Sequence, residues 1–359
     1  MSPLYDLKRG LLVTGGGTGG HVIPAIELAL AHRNLSSSSV TYAGTPGSLE
    51  ERLSGRHQIP FAAVSAGGLV GKSLLGKISG GVAILRGTQG AMALIRRLSP
   101  GLVIGTGGYV QVPVIIAARI LGVPCVLLEP NKIAGLANKV LAPFVSHVVN
   151  GWDTGGGIPL APDVRKAPPD PVRFSRNPLR FLVMGGSQGA RSINERIPGI
   201  VASALRRMPE SRVEIIHQSG DRWLFDTEAR YKNLGVPARV TGFLPGIASL
   251  FGEQSLVFAR AGAMTVAEIT ASGTPAIYCP FPHSAGGPQK ANALAVSEAG
   301  GGWCWDESRL SDTDSCARDL AAILCDRNHL FERGRKAWEK SPGIPASEWL
   351  LGLENLDVR

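Results

Sequence analysis

The chain has 359 residues, 44% of them hydrophobic, with 46 glycines and a formal net charge of +9. That length exceeds one ordinary core and suits two domains. The positive excess favours an anionic partner, while an aromatic content of 6% argues against nucleic acid, whose exposed bases need stacking platforms. The five cysteines, Cys125, Cys279, Cys304, Cys316 and Cys325, form no C-x-x-C pair and read as buried free thiols of a reducing compartment. The opening MSPLYDLKRG lacks the apolar core of a signal peptide, and no apolar run is long enough to span a bilayer.

Apolar, β-prone runs alternate with helical patterns along the first half. GLLVTG reads as a strand, with a helix from Pro24 to about Arg33 behind it. VTYAG, PGLVIGTGGYV, VPCVLLE and VSHVVN supply four more strands. Between Trp152 and Pro178 the chain is crowded with Pro and Gly, and we read a linker there. The plan then restarts at LRFLVMGG, followed by RVEIIHQSG, ARVTGFL, SLVFARAG and TPAIYCPF. Such alternation predicts an α/β fold of two doubly wound parallel-sheet domains, each opening on a glycine turn. The closing ASEWLLGLENL is amphipathic and too short to stand alone, so it must dock, for which the first domain is the candidate.

The chemistry concentrates in the turns. Gly15, Gly16, Gly17, Gly19 and Gly20 lie between the first strand and helix, where backbone N–H groups and a helix N-terminus suit an anion. GGGTGG matches the dinucleotide fingerprint only loosely. The acidic residue expected after the second strand is replaced by Gly44, Thr45 and Pro46, with Glu50 and Glu51 arriving late, inside a helix. Further glycine turns occur at Gly105–Pro113 and at Met184–Arg191, where Ser187 adds a hydroxyl. In FARAGAMTVAE, Arg260 and Gly262 end a strand, and Ala263 to Thr265 open a helix. Glu268, one turn in, can accept hydrogen bonds from a ribose diol or merely complement the helix dipole; beside three glycine turns the nucleotide reading is preferred. His21 is either a general base or a cap for the helix near Pro24. Asp312 and Asp314 form a D-x-D pair that could hold a metal, but Ser311 and Asp312 directly precede a helical pattern and read as caps. In GGLVGKSLLGKISGGVAILRG, Leu69, Val70, Leu74, Leu75, Ile78 and Leu85 mix with Lys72, Lys77 and Arg86. This is either a basic-flanked membrane patch or an ordinary packed helix.

Taken together, TGGGTGGHVIPAIELA, GTGGYVQVPVIIAA, LEPNKIAGLANK, VMGGSQGARSIN, HQSG, VTGFL, RAGAMTVAEITASGTPAI and PQKANA resemble, in order, the MurG family. These are the UDP-N-acetylglucosamine:undecaprenyl-diphosphoryl-muramoyl-pentapeptide N-acetylglucosaminyltransferases of bacterial cell-wall synthesis. The resemblance implies a GT-B fold, two Rossmann-like domains facing across a cleft. Residues 1–160 would form an acceptor- and membrane-facing domain, 161–340 a UDP-sugar domain, and 341–359 a helix returning to the first. It implies inverting transfer of N-acetylglucosamine from UDP-N-acetylglucosamine to the muramoyl sugar of lipid I, giving lipid II, with no metal and no cofactor.

On the donor side it assigns Leu244 to the uracil, Ser187 with the backbone of Ala263, Met264 and Thr265 to the diphosphate, and Val266 and Ala267 to the donor contacts more broadly. Glu268 falls to the ribose and Gln289 to the sugar hydroxyls. Thr18, Gly19, Gly20 and Asn131 would face the sugar. Gly16, Gly17, Thr18, Gly19, Gly107, Gly108 and Tyr109 would hold the acceptor diphosphate. His21 and Glu268 form the catalytic pair, and Leu74, Leu75, Ile78, Lys72 and Lys77 the contact with an anionic membrane surface. A peripheral place on the cytoplasmic membrane face follows, with other cell-wall synthesis proteins as further partners. Leu128 and Pro130 stand where the family pattern has His and Gln, and Ala161 where it has Arg, for which Arg165 or Arg173 are the candidate substitutes. The alternatives are a GT-B protein acting on another acceptor, a UDP-sugar epimerase, and a non-catalytic UDP-sugar-binding protein.

Overall fold

The computed structural model describes residues 4–65, 74–164, 166–186, 188–284 and 286–356, with the backbone path alone for 74–80 and 82. The chain divides into two compact units, Met1–Pro162 joined by Ile344–Arg359, and Asp163–Gly343.

In the first unit the elements run β1 (Leu11–Thr14), α1 (Gly19–Leu35), β2 (Val40–Gly44), α2 (Leu49–Arg56), β3 (Phe61–Ala63) and α3 (Leu74–Leu98). They continue with β4 (Leu102–Gly105), α4 (Gln111–Ile120), β5 (Cys125–Glu129), α5 (Leu136–Leu141), β6 (His147–Asn150) and β7 (Ile158–Leu160). The second unit holds α6 (Val172–Ser175), β8 (Leu179–Met184), α7 (Arg191–Arg206), β9 (Val213–Gln218), α8 (Leu224–Asn233), β10 (Arg239–Thr241) and α9 (Ile247–Leu250). After these come β11 (Leu256–Ala259), α10 (Ala263–Ala271), β12 (Ala276–Tyr278), α11 (Pro288–Glu298), β13 (Gly302–Cys304), α12 (Thr313–Cys325) and α13 (Arg327–Glu339). The chain closes with β14 (Gly343–Pro345) and α14 (Ala346–Gly352).

Each unit is built on a six-stranded parallel sheet, β3-β2-β1-β4-β5-β6 and β10-β9-β8-β11-β12-β13. In both, the first strand lies between the second and the fourth, so the order reverses at β1/β4 and at β8/β11. Loops leaving the carboxyl ends of those strand pairs border the crevice where doubly wound sheets bind ligands.

The central strands β1, β4, β5, β11 and β12 are mostly apolar because both sheet faces are covered there. Leu11, Val13, Leu102, Ile104, Val126 and Leu128 pack in one cluster, while Leu12, Val103, Cys125 and Leu127 pack in another. This period of two is the pleat itself. In α7, Ile193, Ile197, Ile200, Val201 and Ala204 recur at helical spacing and face the core of the second unit. The closing segment packs on α1: Trp349, Leu350 and Leu353 join the cluster of Val22, Ala25 and Ile26, and the Trp349 indole donates to Gly157 O at 3.0 Å.

Several sequence readings need correction. α1 starts at Gly19, not near Pro24, which sits inside the helix. Pro24 removes only one N–H, the donor to Gly20 C=O, and the apolar face behind it holds the helix. Four strands were not anticipated, β3, β13 and the pair β7 and β14 that forms a separate two-stranded sheet. Each has three residues at or near a sheet edge, too short to carry a pattern. The expected linker contains β7 and α6, with Phe174 in the core of the second unit.

Candidate functional site

In the first unit the two glycine turns leave the carboxyl ends of β1 and β4 and lie directly on each other. Gly16 N–H donates to Gly107 O at 3.1 Å. Gly108 has φ +83°, and a Cβ there would come within 2.3 Å of Gly16 O. Gly17 also has positive φ, but its surroundings are open. Thr18 precedes α1 as its N-cap without a side-chain capping bond. Gly19 and Gly20 form the first helical positions, whose N–H groups have no acceptor within the helix. The turn, the helix start and Gly107–Tyr109 thus gather at one strand-end crevice.

His21 is the third residue of α1, half-buried. Its Nδ1 lies 3.1 Å from Gly16 O and 3.5 Å from Thr18 Oγ1. A carbonyl can only accept, so Nδ1–H donates to it, and in the neutral tautomer that this selects, Nε2 is the nitrogen with the free lone pair. The capping role expected of His21 near Pro24 falls away with the earlier helix start. Its backbone is fixed as well, because Thr106 Oγ1 donates to His21 O at 2.6 Å.

His21, Gly107, Gly108, Tyr109, Glu129, Leu136 and Asn138 line a cavity of about 140 Å³. A chain of amides stands behind it. Gln111 Oε1 accepts from Gly107 N–H at 2.9 Å, Gln111 Nε2 donates to Asn138 Oδ1 at 2.6 Å, and Asn138 Nδ2 donates to Glu129 Oε2 at 2.9 Å. Glu129 Oε1 in turn accepts from both the backbone and the side-chain nitrogen of Asn131, at 2.9 and 3.1 Å. Asn131 is therefore tied to the same network as the second glycine turn. Sequence reasoning passed over Gln111 and Asn138; the available signal was two buried amides in otherwise apolar stretches.

Glu50 does lie in a helix, α2, but it is buried, and its Oε1 accepts from Thr45 N–H at 3.2 Å. A Cβ on Gly16 would meet that oxygen at 2.7 Å. The carboxylate that arrives late in the sequence therefore packs under the first glycine turn.

In the second unit, β8 leads into Gly185, Gly186 and Gly189, and β11 into Arg260, Ala261 and Gly262. These turns meet at a cavity of about 600 Å³ lined by Gly185, Gly186, Gly189, Gly262, Thr265, Phe281 and Gln289 among others. Ser187 lies outside the described residues, as do Lys72 and Arg165 and the side chains of Leu74, Leu75, Lys77 and Ile78.

Gly262 is the N-cap of α10. Ala263, Met264 and Thr265 present first-turn N–H groups, and the side chains of the first two are buried. Val266 and Ala267, expected among the donor contacts, do not share this property. Val266 N–H is already bonded to Gly262 O at 2.9 Å, Ala267 lies past the first turn, and both side chains are in the core. Glu268 follows one turn into α10, half-buried. Leu244 sits in the loop after β10 and is largely buried, with Phe243 exposed beside it.

His217, from the HQSG motif, is a structural residue. Asn194 Nδ2 donates to Ser219 O at 2.8 Å, so Asn194 Oδ1 faces His217 Nε2 at 3.0 Å and accepts a hydrogen bond from its N–H. Nδ1 then accepts from Tyr231 O–H at 3.1 Å. Burial pushes the imidazole down to about 3, so it is neutral.

Two other expectations are settled by side-chain contacts. Asp312 is the N-cap of α12, accepting from Ser315 N–H at 3.0 Å, and Asp314 pairs with Arg207 and Arg318. Asp312→Ala is expected to cost about 1 kcal/mol of stability and to leave transfer activity and its response to chelators unchanged. Measured metal dependence in the parent that disappears in the variant would overturn the capping role. Arg173 is not available to replace the missing arginine at Ala161. It is buried and donates to Gly252 O, Ser272 O and Gly273 O.

The sequence of this chain matches the glycosyltransferase family 28 N-terminal domain over residues 11–150 and the family 28 C-terminal domain over 180–344. A protein of Paracidovorax citrulli is 37% identical over 340 residues, covering 92% of this chain and 93% of its own length. One of Dechloromonas aromatica is 35% identical over 343 residues, covering 92% and 94%. Both are named UDP-N-acetylglucosamine–N-acetylmuramyl-(pentapeptide) pyrophosphoryl-undecaprenol N-acetylglucosamine transferase. The chain belongs to the MurG family. The crystal structure of Acinetobacter baumannii MurG superposes with a TM-score of 0.82 at 27% identity, over 97% of this chain and 100% of that one. This MurG-family chain thus has the GT-B fold, two Rossmann-like doubly wound domains, and it is a glycosyltransferase.

Proposed function

We propose that the chain transfers N-acetylglucosamine from UDP-N-acetylglucosamine to the muramoyl sugar of lipid I, with inversion. The observation that carries this reading is one glycine-lined strand-end cavity in each unit, in a chain 37% identical to transferases of that name over nearly its whole length. In the second unit, the N–H groups of Ala263, Met264 and Thr265 and the glycine turn after β8 take the UDP diphosphate. Glu268 takes the ribose, Leu244 the uracil through its backbone, and Gln289 the sugar. In the first unit, Gly16, Gly17, Thr18, Gly19, Gly107, Gly108 and Tyr109 take the acceptor diphosphate, and Thr18, Gly19, Gly20 and Asn131 face the sugar.

The acceptor hydroxyl attacks the anomeric carbon on the face opposite UDP. Its proton passes to His21 Nε2 as the carbon–oxygen bond to UDP breaks. The charge gained by the leaving diphosphate falls on preorganised backbone N–H groups, which need no rearrangement to receive it.

Among the described residues, no helix is long and apolar enough to cross a membrane. We place the chain peripherally on the cytoplasmic membrane face. Exposed Leu85, Ile120, Leu136, Val140 and Phe144 support this reading. So does the charge pattern: between Glu51 and Asp153 the sequence has one acidic residue, Glu129, and that one is buried. Other cell-wall synthesis proteins would be met there.

The test is incubation with labelled UDP-N-acetylglucosamine and a lipid I analogue, free or in vesicles with and without anionic lipid. UDP release that requires the acceptor, and vesicle binding that requires anionic lipid, are the expected results. Donor binding without turnover overturns the transferase reading, and sedimentation indifferent to lipid charge overturns the membrane reading.

A further inference from the structure

The 600 Å³ cavity of the second unit has Arg260 in its wall. A guanidinium at that place invites assignment to the diphosphate, but the donors of both terminal nitrogens are taken. One terminal nitrogen donates to Cys279 O and to Pro280 O, both at 3.2 Å. The other donates to Ser192 Oγ at 3.1 Å and to the Glu307 carboxylate. The guanidinium carbon also lies 5.5 Å from the centre of the Phe281 ring. The two charged side chains are 13% and 26% exposed. At that burial, removing one partner leaves the other with an uncompensated charge, so the two behave as a unit.

The consequence reaches the sugar end of the pocket through Phe281. Its N–H donates to Gln289 Oε1 at 2.9 Å. A carboxamide whose oxygen is engaged offers its NH₂ to whatever shares the cavity. Gln289 is thereby turned so that its NH₂ is available as a donor to sugar oxygens.

We propose that Glu307 is a positioning residue for the sugar half of the donor. It holds Arg260 on the carbonyls of Cys279 and Pro280, which fixes Phe281, which turns Gln289 so that Nε2 donates into the pocket. The terminal nitrogens of Arg260 are thereby kept from the diphosphate. The inference rests on the reading of this cavity as the nucleotide-sugar site.

The experiment compares UDP, which lacks the sugar, with UDP-N-acetylglucosamine, by calorimetric titration of the full chain. In Glu307→Ala the Kd for UDP is expected to stay within about twofold of the parent, while that for UDP-N-acetylglucosamine rises about five- to tenfold, the worth of one ordinary hydrogen bond. Glu307→Asp should recover most of the loss, and Arg260→Lys, which lacks the planar fork, should reproduce it. Equal weakening of both ligands overturns the proposal by making Arg260 or the fold itself the affected element. Unchanged sugar-nucleotide binding, or tighter UDP binding, overturns it by showing that Gln289 is positioned without Glu307. A parent chain that binds neither ligand overturns the nucleotide-sugar reading, and this one with it.

Discussion

His21→Ala is expected to lower the rate of sugar transfer by about 10²- to 10⁴-fold, the range that a positioned general base contributes, and to leave UDP binding untouched. The ring is held for that work. Nδ1 faces Gly16 O at 3.1 Å, which fixes the tautomer with Nε2 unprotonated. The space beside the ring exists because residue 107 is glycine: a Cβ there would lie 2.5 Å from His21 Cδ2. UDP binding should not respond, because the residues assigned to UDP all belong to the second unit. Single-turnover transfer, measured beside UDP titration, separates the two effects. A variant that transfers at the parent rate removes His21 from the chemistry, while the glycine turns keep their anion-binding geometry.

Gly189→Ala should destabilise the second unit by roughly 2–4 kcal/mol and weaken UDP binding at least about tenfold. Gly189 has φ +71°, which costs any other residue, and a Cβ there would fall 1.8 Å from Ser219 O. That oxygen is backbone and cannot swing away. Asn194 Nδ2 holds it at 2.8 Å, and Asn194 is itself held by buried His217. The turn before α7 must therefore move, and with it the wall of the 600 Å³ cavity. Gly186→Ala is the control: its φ is +89°, but its surroundings are open, so only the dihedral cost of about 1–2 kcal/mol applies. Urea unfolding followed in the second unit, with UDP titration, compares the two. Equal effects would show that the approach to Ser219 is not what holds the turn.

Much of this was legible one residue after another. The period-two apolar strands, the strand–glycine–helix openings at Gly15 and Gly185, and the amphipathic α7 and tail are local patterns that burial on both sheet faces imposes on composition. Motifs such as RAGAMTVAE and GTGGYV were visible for the same reason: a turn that brings backbone close to an anion or to another turn needs glycine wherever it occurs. The capping Asp312 was legible too, since a cap acts on its own next turn.

What the sequence alone determined is the fold class, the positions of the glycine turns and the family that the motifs spell. Tertiary structure decided which side chains those turns meet. Glu50 lies under Gly16 because α2 folds back over the end of β2, and Gln111 reaches Asn138 only through the packing of α4 beside α5. Arg173 became a buried anchor and Arg260 a partner of Glu307, 47 positions away. Such pairings join elements separated by whole strands and helices. No period or spacing in the chain records them, because they depend on where the sheet order brings the strand ends.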